Sequence, residues 1–150
     1  MLNKVKSHLA GKAYKGFLTA VLLAAVLTGS VYAQKNSIKD VTPNKYALQN
    51  LVAGIHSDNI GVKRSAIYFA GKYRLAETEE ALIAQLKEEN DPSTRILIAL
   101  VLYEMGSEAG LLEVKNLSLN DEDAKVRRMA TQIYNEYLVN DAGSTAYLTE

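Results

Sequence analysis

The residues that most often perform chemistry in proteins are few and scattered in this chain of 150 residues. Only one histidine, His56, lies outside the first 33 residues, so neither a histidine metal cluster nor a pair of histidines for acid–base catalysis is available. His56 falls at a predicted helix end, where an imidazole is expected to interact with terminal carbonyl groups. The chain has no cysteine, which excludes a thiol nucleophile, a thiolate metal site and a disulfide framework.

Serines, glycines and carboxylates also lack the spacing that catalysis or ion binding requires. No Gly-x-Ser-x-Gly elbow occurs, and the glycines are dispersed rather than grouped into a phosphate-binding loop. The acidic clusters at residues 77–80, 88–89 and 121–123 lack the glycine bend and closing glutamate of a calcium loop. We therefore predict no catalytic residue, no metal and no cofactor, and a protein that is not an enzyme.

Residues 1–33 have the pattern of a secretory signal peptide. Four lysines without any acidic residue precede an apolar run from Phe17 to Leu27, and Val31-Tyr32-Ala33 places compact residues where a signal peptidase cuts. We predict cleavage after Ala33 and a periplasmic or secreted protein. The alternative is a membrane anchor formed by residues 16–32, but the strongly apolar run is shorter than the ~20 residues that span a bilayer.

Removal of this segment changes the charge of the chain. The whole sequence has 17 basic and 17 acidic residues, and all four charges of the signal segment are basic, which leaves a net charge of −4. Mild acidity disfavours general nucleic-acid binding, which requires a basic surface. The expected partner is another protein, and a membrane is expected only through an uncleaved signal segment.

The rest of the chain repeats itself after a polar segment at residues 34–44, which we expect to be a flexible leader. Arg64, Arg95 and Arg127 lie 31 and 32 residues apart, each after an acidic turn, and recurrence at this interval is typical of stacked helical repeats. Capping residues at these turns, with Pro92 at a first helical position, predict helix starts. Six helices in three antiparallel pairs are predicted near residues 45–56, 60–74, 79–89, 92–105, 108–118 and 122–138.

The apolar spacing predicts where each helix lies in the stack. The first and last helices each have one apolar side and one polar side, so both are expected to close an end of the stack. The run from Ile96 to Tyr103 is apolar without interruption, which a helix tolerates only between neighbours. A buried strand is the alternative for this run, but the capped start at Asp91-Pro92 and the stop at Gly106 favour a helix.

The turn acid, the sequence Val62-Lys63-Arg64-Ser65-Ala66 and the helix end Ala70-Gly71-Lys72-Tyr73 resemble bacterial HEAT repeats of the short kind. The resemblance covers residues 47–138. It implies an all-α fold, an α-solenoid of about three antiparallel helix pairs in residues 45–138, with a C-terminal tail at residues 139–150. It also implies a concave face, formed by the second helices, that holds proteins, and a ladder of turn aspartates and helix arginines between successive repeats.

The ladder also has a physical basis. An arginine in the first turns of a helix opposes the positive end of the helix dipole, so a compensating acid is expected beside each one. A guanidinium group can bind a carboxylate through two hydrogen bonds, whereas a fully solvated pair would contribute little. The candidate ladder residues are Asp58, Arg64, Asp91, Arg95, Asp123 and Arg127.

Tyrosine is the dominant aromatic residue, with nine tyrosines, two phenylalanines and no tryptophan. Four of them, Tyr73, Tyr103, Tyr134 and Tyr137, lie near the ends of second helices. They could form a row that binds a partner, or each ring could cover the core while its hydroxyl reaches water. The candidate protein-binding residues are Lys72, Tyr73, Arg74, Glu104, Asn135 and Tyr137.

The sequence therefore predicts an exported, non-enzymatic scaffold for protein–protein interactions, built from HEAT-like repeats. Two alternatives stay open. One is an accessory protein that assists an enzyme, because some short bacterial HEAT-like repeats resemble the lyases that attach bilin pigments. The other is a structural component of the cell envelope that self-associates.

Overall fold

A computed structural model describes the backbone of residues 35–146 and the side chains of residues 35–140. The predicted signal peptide and the last four residues of the predicted tail lie outside the described residues. The described helices are α1 (Ile38–Val41), α2 (Ala47–Ile55), α3 (Ile60–Lys72), α4 (Glu79–Glu88), α5 (Pro92–Glu104), α6 (Glu108–Asn120) and α7 (Ala124–Ala146), and a 3-10 turn at Ala76–Thr78 precedes α4.

Helices α2 to α7 form three hairpins that stack in sequence order: repeat 1 (α2 and α3), repeat 2 (α4 and α5) and repeat 3 (α6 and α7). The second helices α3, α5 and α7 pack side by side in one layer, and the first helices α2, α4 and α6 form the other layer. The described part of the chain is thus an all-α solenoid, which confirms the predicted fold class. The run from Ile96 to Tyr103 lies within α5, so the alternative of a buried strand is wrong.

Side-chain caps begin the three second helices at equal intervals. Asn59, Asp91 and Asp123 accept hydrogen bonds from backbone N–H groups two or three residues further on. Such a cap satisfies N–H groups that have no partner within the helix. Because the caps are spaced from 59 to 91 and from 91 to 123, the structural repeat of the second helices is 32 residues.

The caps correct the predicted register of repeat 1. Counted from the cap, Lys63, Arg95 and Arg127 are the equivalent residues, and Arg64 lies one position later. The alignment on three arginines was wrong by one residue there because repeat 1 has two adjacent basic residues. The position of the helix start identifies Lys63 as the residue equivalent to Arg95 and Arg127. The residue types alone do not identify it.

Two apolar clusters hold the stack together. The larger one joins repeats 1 and 2, and the smaller one joins repeats 2 and 3 with tyrosine rings at its border. Burial of these side chains is the main favourable contribution to folding in a chain that has no disulfide. The larger cluster contains Ile55, Ala66, Ile67, Ala70, Leu82, Leu86, Ile98, Val101, Leu102 and Met105, and the smaller contains Ala99, Leu111, Val114, Ala130 and Ile133.

Residues 35–38 form hydrogen bonds and a backbone bridge with the repeats, within the segment 34–44 that was predicted to be a flexible leader. Ser37 caps the short helix α1, and Asn36 forms a parallel backbone bridge with Leu75. The hydroxyl of Ser37 also donates to Glu77, and this hydrogen bond holds the pKa of Glu77 below its usual value. Apolar periodicity missed the segment because a single capped turn and a one-residue bridge have no period to detect.

Helix α7 continues past Leu138, where the repeat domain was predicted to end, as far as Ala146. The side-chain amide of Asn140 donates to the hydroxyl of Tyr103 over 3.0 Å, so α7 still contacts α5 there. The predicted tail at 139–150 is therefore helical up to Ala146, because no proline interrupts the backbone hydrogen bonds in this stretch.

Candidate functional site

A groove with a volume of about 490 Å³ lies between α3 and α5 on the layer of second helices, and we call it the α3–α5 groove. Tyr68 and Leu100 line it and are 61% and 39% exposed, which is high for large apolar side chains. The groove also contains three of the six predicted binding residues. Its lining is Asn36, Tyr68, Gly71, Lys72, Arg74, Leu97, Leu100, Val101 and Glu104.

Gly71 allows the two walls of the groove to approach each other. A Cβ atom at this position would lie 2.7 Å from Cγ2 of Val101, closer than side chains tolerate. A glycine is therefore required for α3 and α5 to pack at this distance. The apolar floor of the α3–α5 groove is formed by Leu97, Leu100 and Val101 of α5.

Arg74 ends α3 in a left-handed conformation with φ of 49°. The N–H groups of Leu75 and Arg74 donate to the carbonyl oxygens of Ala70 and Gly71, each over 3.0 Å, which is a Schellman motif. The equivalent residue 32 positions later is Gly106, with φ of 62°. A residue other than glycine costs roughly 1–2 kcal/mol in this conformation. Repeat 1 therefore keeps an arginine where repeat 2 has the less strained residue, which indicates a role for the arginine side chain.

One end of the groove is basic and open to solvent. Nη2 of Arg74 lies 3.5 Å from Oε2 of Glu104, and both side chains are exposed. Such a pair contributes little to stability, because water screens both charges. Nζ of Lys72 lies 5.3 Å from the ring centroid of Tyr73, whose ring packs against Phe69. Two of the predicted binding residues, Lys72 and Arg74, thus place cationic side chains beside the apolar floor of the groove.

The other three predicted binding residues, Tyr73, Asn135 and Tyr137, do not line the α3–α5 groove. Asn135 is exposed on α7. The ring of Tyr137 lies 6.1 Å from that of Tyr134, and both border the smaller apolar cluster together with Tyr103. The predicted row of tyrosines is therefore not one surface, because these three rings cover the core between repeats 2 and 3.

The sequence did not indicate the apolar side chains of the α3–α5 groove, Tyr68, Leu97 and Leu100. Tyr68 shares one face of α3 with the exposed residues Ser65 and Lys72, at helical spacings of three and four residues. A single large aromatic residue on an otherwise polar face is a signal that could have identified it. Leu97 and Leu100 gave no such signal, because the whole of α5 is apolar at this point.

Ionic contacts join successive repeats, and they fall into two unequal junctions. In junction 1, between repeats 1 and 2, Nη2 of Arg64 donates to Oδ2 of Asp91 over 2.7 Å and Nε donates to the hydroxyl of Thr94 over 3.0 Å. Lys63 contacts Glu89 over 2.8 Å in the same junction. The ladder residues Arg64 and Asp91 are thus brought together, and the neighbouring pair of Lys63 and Glu89 was not predicted.

Junction 2, between repeats 2 and 3, has one solvated pair, Lys87 and Glu113 at 2.9 Å, and one buried pair formed by Arg95. Its Nη2 donates to Oδ1 of Asp121 over 3.0 Å, and its Nε lies 2.9 Å from Oδ2 without hydrogen-bond alignment. The two side chains are only 8% and 4% exposed. Nη1 of Arg95 donates to the backbone carbonyls of Glu89 and Asn90, which fixes its own loop. The partner of Arg95 is therefore Asp121, whereas the predicted Asp123 caps α7.

The remaining ladder residues lie at the two ends of the stack. Nη1 of Arg127 donates to the carbonyls of Asp121 and Glu122, as Arg95 does in its own loop. Within residues 35–140, Arg127 forms no ion pair, and the side chain of Asp58 forms neither an ion pair nor a hydrogen bond. Inside the stack, a neighbouring repeat lies beside each of these two positions. At the ends of the stack, Asp58 and Arg127 have no such neighbour among residues 35–140.

The acids of junction 1 have lowered pKa values. Burial acts to raise the pKa of Glu89, but hydrogen bonds from Lys63 and from the backbone N–H of Asp91 outweigh it, so the pKa lies below the usual value. Hydrogen bonds from Thr94 and then from Arg64 lower the pKa of Asp91. Both carboxylates are consequently held in the ionised form that their cationic partners require.

The single histidine of the described region joins repeats 1 and 2. Nδ1 of His56 lies 2.9 Å from Oε1 of Gln85, so its partner is a side-chain amide rather than the predicted helix-end carbonyls. Across residues 35–140, no group of three or more His, Asp or Glu side chains is arranged to hold a metal ion. The same region contains no helix of sufficient length and apolarity to cross a membrane.

Helix pairs stacked in two layers, with ionic junctions between them and a groove along the second helices, define an α-solenoid repeat protein. Residues 48–135, more than half of the chain, match the family model described as HEAT repeats. The chain belongs to the HEAT-repeat family. No similar curated protein and no similar solved structure was found.

Proposed function

We propose that this HEAT-repeat protein is an exported scaffold that binds a segment of another protein in the α3–α5 groove. HEAT repeats commonly serve as scaffolds for protein interactions. The observation that carries the proposal for this groove is Arg74, which occupies a left-handed position at a cost in stability and directs a weakly paired guanidinium group to the groove. Strain of this kind persists where the side chain has a use.

The chemistry of the groove specifies the kind of segment that fits. Leu97 and Leu100 offer an apolar floor, and Lys72 and Arg74 offer two cations against the single carboxylate of Glu104. A matching segment inserts an apolar side chain between α3 and α5 and places an acidic residue beside Arg74. A guanidinium group can bind such a carboxylate through two parallel hydrogen bonds, which fixes the orientation of the segment.

Site-specific photocrosslinking tests this proposal. A photoreactive phenylalanine analogue at Leu100 should crosslink a partner protein in producing cells, and the double change Lys72→Ala and Arg74→Ala should abolish that product. Leu112 is the matched control, because it is an exposed leucine on α6 in the opposite layer. Equal crosslinking from positions 100 and 112, or a product insensitive to the double change, would contradict the proposal.

Export is the second part of the proposal, and the pattern of residues 1–33 supports it. The measurement is the intact mass of the protein recovered from a cell-envelope or culture-medium fraction. A chain that begins at Gln34 is the expected result. Recovery of a chain that retains residues 1–33, or recovery from the cytoplasm alone, would argue against cleavage and export.

A further inference from the structure

A second and larger groove lies at the N-terminal end of the stack, between α2 and α3, with α1 along one side. Its volume is about 910 Å³, and we call it the N-terminal groove. None of its lining residues is charged. Val62, which lines the groove, is 50% exposed, and Ile60 and Tyr46 nearby are also exposed. The lining includes Ile38, Val41, Leu51, Val62, Ala66 and Phe69.

The first helix was predicted to close this end of the stack, and α2 does expose Gln49 and Asn50 there, but among residues 35–140 it leaves part of α3 uncovered. Helix α1 has only four residues, and Ile38 is its one buried residue. It covers one side of the groove and leaves the surface of α3 open. The apolar side of α2 predicted a buried face, but it did not show that α3 has a second apolar face turned away from repeat 2.

The face of α3 that lines the N-terminal groove corresponds to a face that is covered inside the stack. Val62 is half exposed on it, whereas Ala66 is buried against Gly54 of α2. Residues Val62, Ala66 and Phe69 of α3 are equivalent, at 32 residues, to Thr94, Ile98 and Val101 of α5. Those three residues of α5 face α3. Thr94 accepts a hydrogen bond from Arg64, Ile98 joins the cluster shared with Ile67, and Val101 packs against Gly71. Among residues 35–140, the N-terminal groove therefore continues the established contact between repeats without a helix in the preceding position.

An acidic residue lies beside the groove, where the stack would supply a basic partner. In both junctions a cation from the preceding helix contacts an acid in the loop before the next second helix. In the equivalent loop of repeat 1, Ser57-Asp58-Asn59, Ser57 takes the place of Glu89 and Asp121, and Asp58 takes the place of Glu122, whose Oε1 lies 3.7 Å from Nη2 of Arg95. Asp58 is exposed and makes no ion pair within residues 35–140. A helix placed in the groove would bring a lysine or arginine to Asp58.

The opposite end of the stack does not supply that helix. The residues of α3 that face α5 are Arg64, Ile67, Tyr68 and Gly71, and 64 residues later α7 has Arg128, Thr131, Gln132 and Asn135. All four of these α7 residues are exposed. A second copy stacked end to end would place this polar face on the apolar groove and bury polar groups without partners.

We propose that the N-terminal groove binds an amphipathic α-helix of another protein, with its apolar stripe against Val62, Ala66 and Phe69 and a basic residue at Asp58. An apolar helix face in a hydrophobic groove is a common mode of recognition. The proposal concerns a surface distinct from the α3–α5 groove, and it does not depend on the function proposed for that groove.

The test uses the purified protein and a labelled peptide with the sequence of residues 58–74, the helix that covers the equivalent face of α5. Fluorescence anisotropy should show saturable binding, weakened at least tenfold by Val62→Glu and at least threefold by Asp58→Lys. The matched control is Leu119→Glu, an exposed leucine at the end of α6, which should bind like the unchanged protein. Leu100→Glu should also leave binding unchanged, because it alters only the α3–α5 groove.

Three results would overturn the proposal. They are the absence of saturable binding, equal binding by the Val62→Glu variant, and a protein dimer that Val62→Glu dissociates, since a second copy would then occupy the groove. Circular dichroism verifies that each variant is folded. If Val62→Glu unfolds, Ser65→Glu replaces it, because Ser65 is an exposed residue of the same groove.

Discussion

Junction 1 and junction 2 connect equivalent repeats with different chemistry. Junction 1 divides its ionic contacts among Lys63, Arg64 and Arg74, and it also contains the larger apolar cluster. Junction 2 has the smaller cluster and assigns its main ionic contact to Arg95, which binds both its own loop and Asp121. The less apolar junction is therefore the one in which a single side chain matters most.

Exposure determines what each contact contributes. The side chains of Arg64 and Asp91 are 43% and 36% exposed, so water screens their attraction. Arg95 and Asp121 are almost fully buried, so both ions have lost their hydration and depend on each other. The pair of junction 1 that is equivalent to Arg95 and Asp121 is Lys63 and Glu89, which is also mostly buried at 15% and 5% exposed, so the solvated pair of Arg64 and Asp91 is an additional contact.

The largest expected effect is that of Arg95→Ala. The change leaves Asp121 buried without its cation and frees the carbonyls of Glu89 and Asn90, so we expect a loss of about 3–5 kcal/mol in the free energy of unfolding. Chemical denaturation monitored by circular dichroism measures it.

The matched control is Arg64→Ala, for which we expect a loss of about 1 kcal/mol or less, because the pair with Asp91 is partly solvated. Equal losses in the two variants would remove the distinction between the junctions. A loss below about 1 kcal/mol for Arg95→Ala would show that burial of its pair has no energetic consequence.

A smaller effect is expected from Glu89→Gln in junction 1. Loss of the charged hydrogen bond to Lys63 should cost about 1.5 kcal/mol at neutral pH. The pKa of Glu89 is lower in the folded protein than its usual value of 4.5, so the folded state binds protons less readily than the unfolded state. Its stabilising contribution is complete above about pH 4.5 and is lost as the pH falls through the folded-state pKa.

The measurement is the urea midpoint between pH 7 and pH 3 for the original protein and for the Glu89→Gln variant. The original protein should lose more stability on acidification than the variant, since glutamine does not titrate in this range. Asp91 also has a lowered pKa and is present in both proteins, so the variant should keep part of the dependence. Parallel curves would show that Glu89 does not link proton binding to folding.

The smallest expected effect has the opposite sign. Arg74→Gly should stabilise the protein by about 1 kcal/mol, because glycine adopts the left-handed conformation without strain. The same variant should lose the crosslink from position 100. The matched control is the reverse change at the equivalent position, Gly106→Arg, which should destabilise the protein by a similar amount. If Arg74→Gly is not stabilising, the strain argument for the α3–α5 groove fails.

The sequence predicted the six repeat helices well because their ends carry explicit signals. Asp91-Pro92 begins α5 and Gly106 follows its end, and these residues act through local backbone chemistry that tertiary contacts do not override. The apolar run from Ile96 to Tyr103 identified the middle repeat, since only a helix covered by neighbours tolerates it.

The sequence could not predict which acid each base would contact. Three acids lie within residues 121–123, and the choice of Asp121 over Asp123 depends on which one faces Arg95 after the loop has folded. Three of the six candidate binding residues line the α3–α5 groove, because the candidates lie at helix ends and one end of the groove is formed by helix ends. The apolar floor at Leu97 and Leu100 was missed because exposure within a wholly apolar helix is decided by tertiary packing.

The polar face of α7 has a consequence for how this array can lengthen. A unit duplicated after repeat 3 would have to bury the exposed polar side chains of Thr131 and Asn135, because this face of α7 offers apolar surface only further on, at Leu138 and Val139. A copy of repeat 2 inserted in the interior would instead meet compatible faces on both sides and leave the two termini of the array as they are. An increase in the number of repeats is therefore compatible with duplication of the middle repeat, and the polar face of α7 opposes it at the C-terminal end.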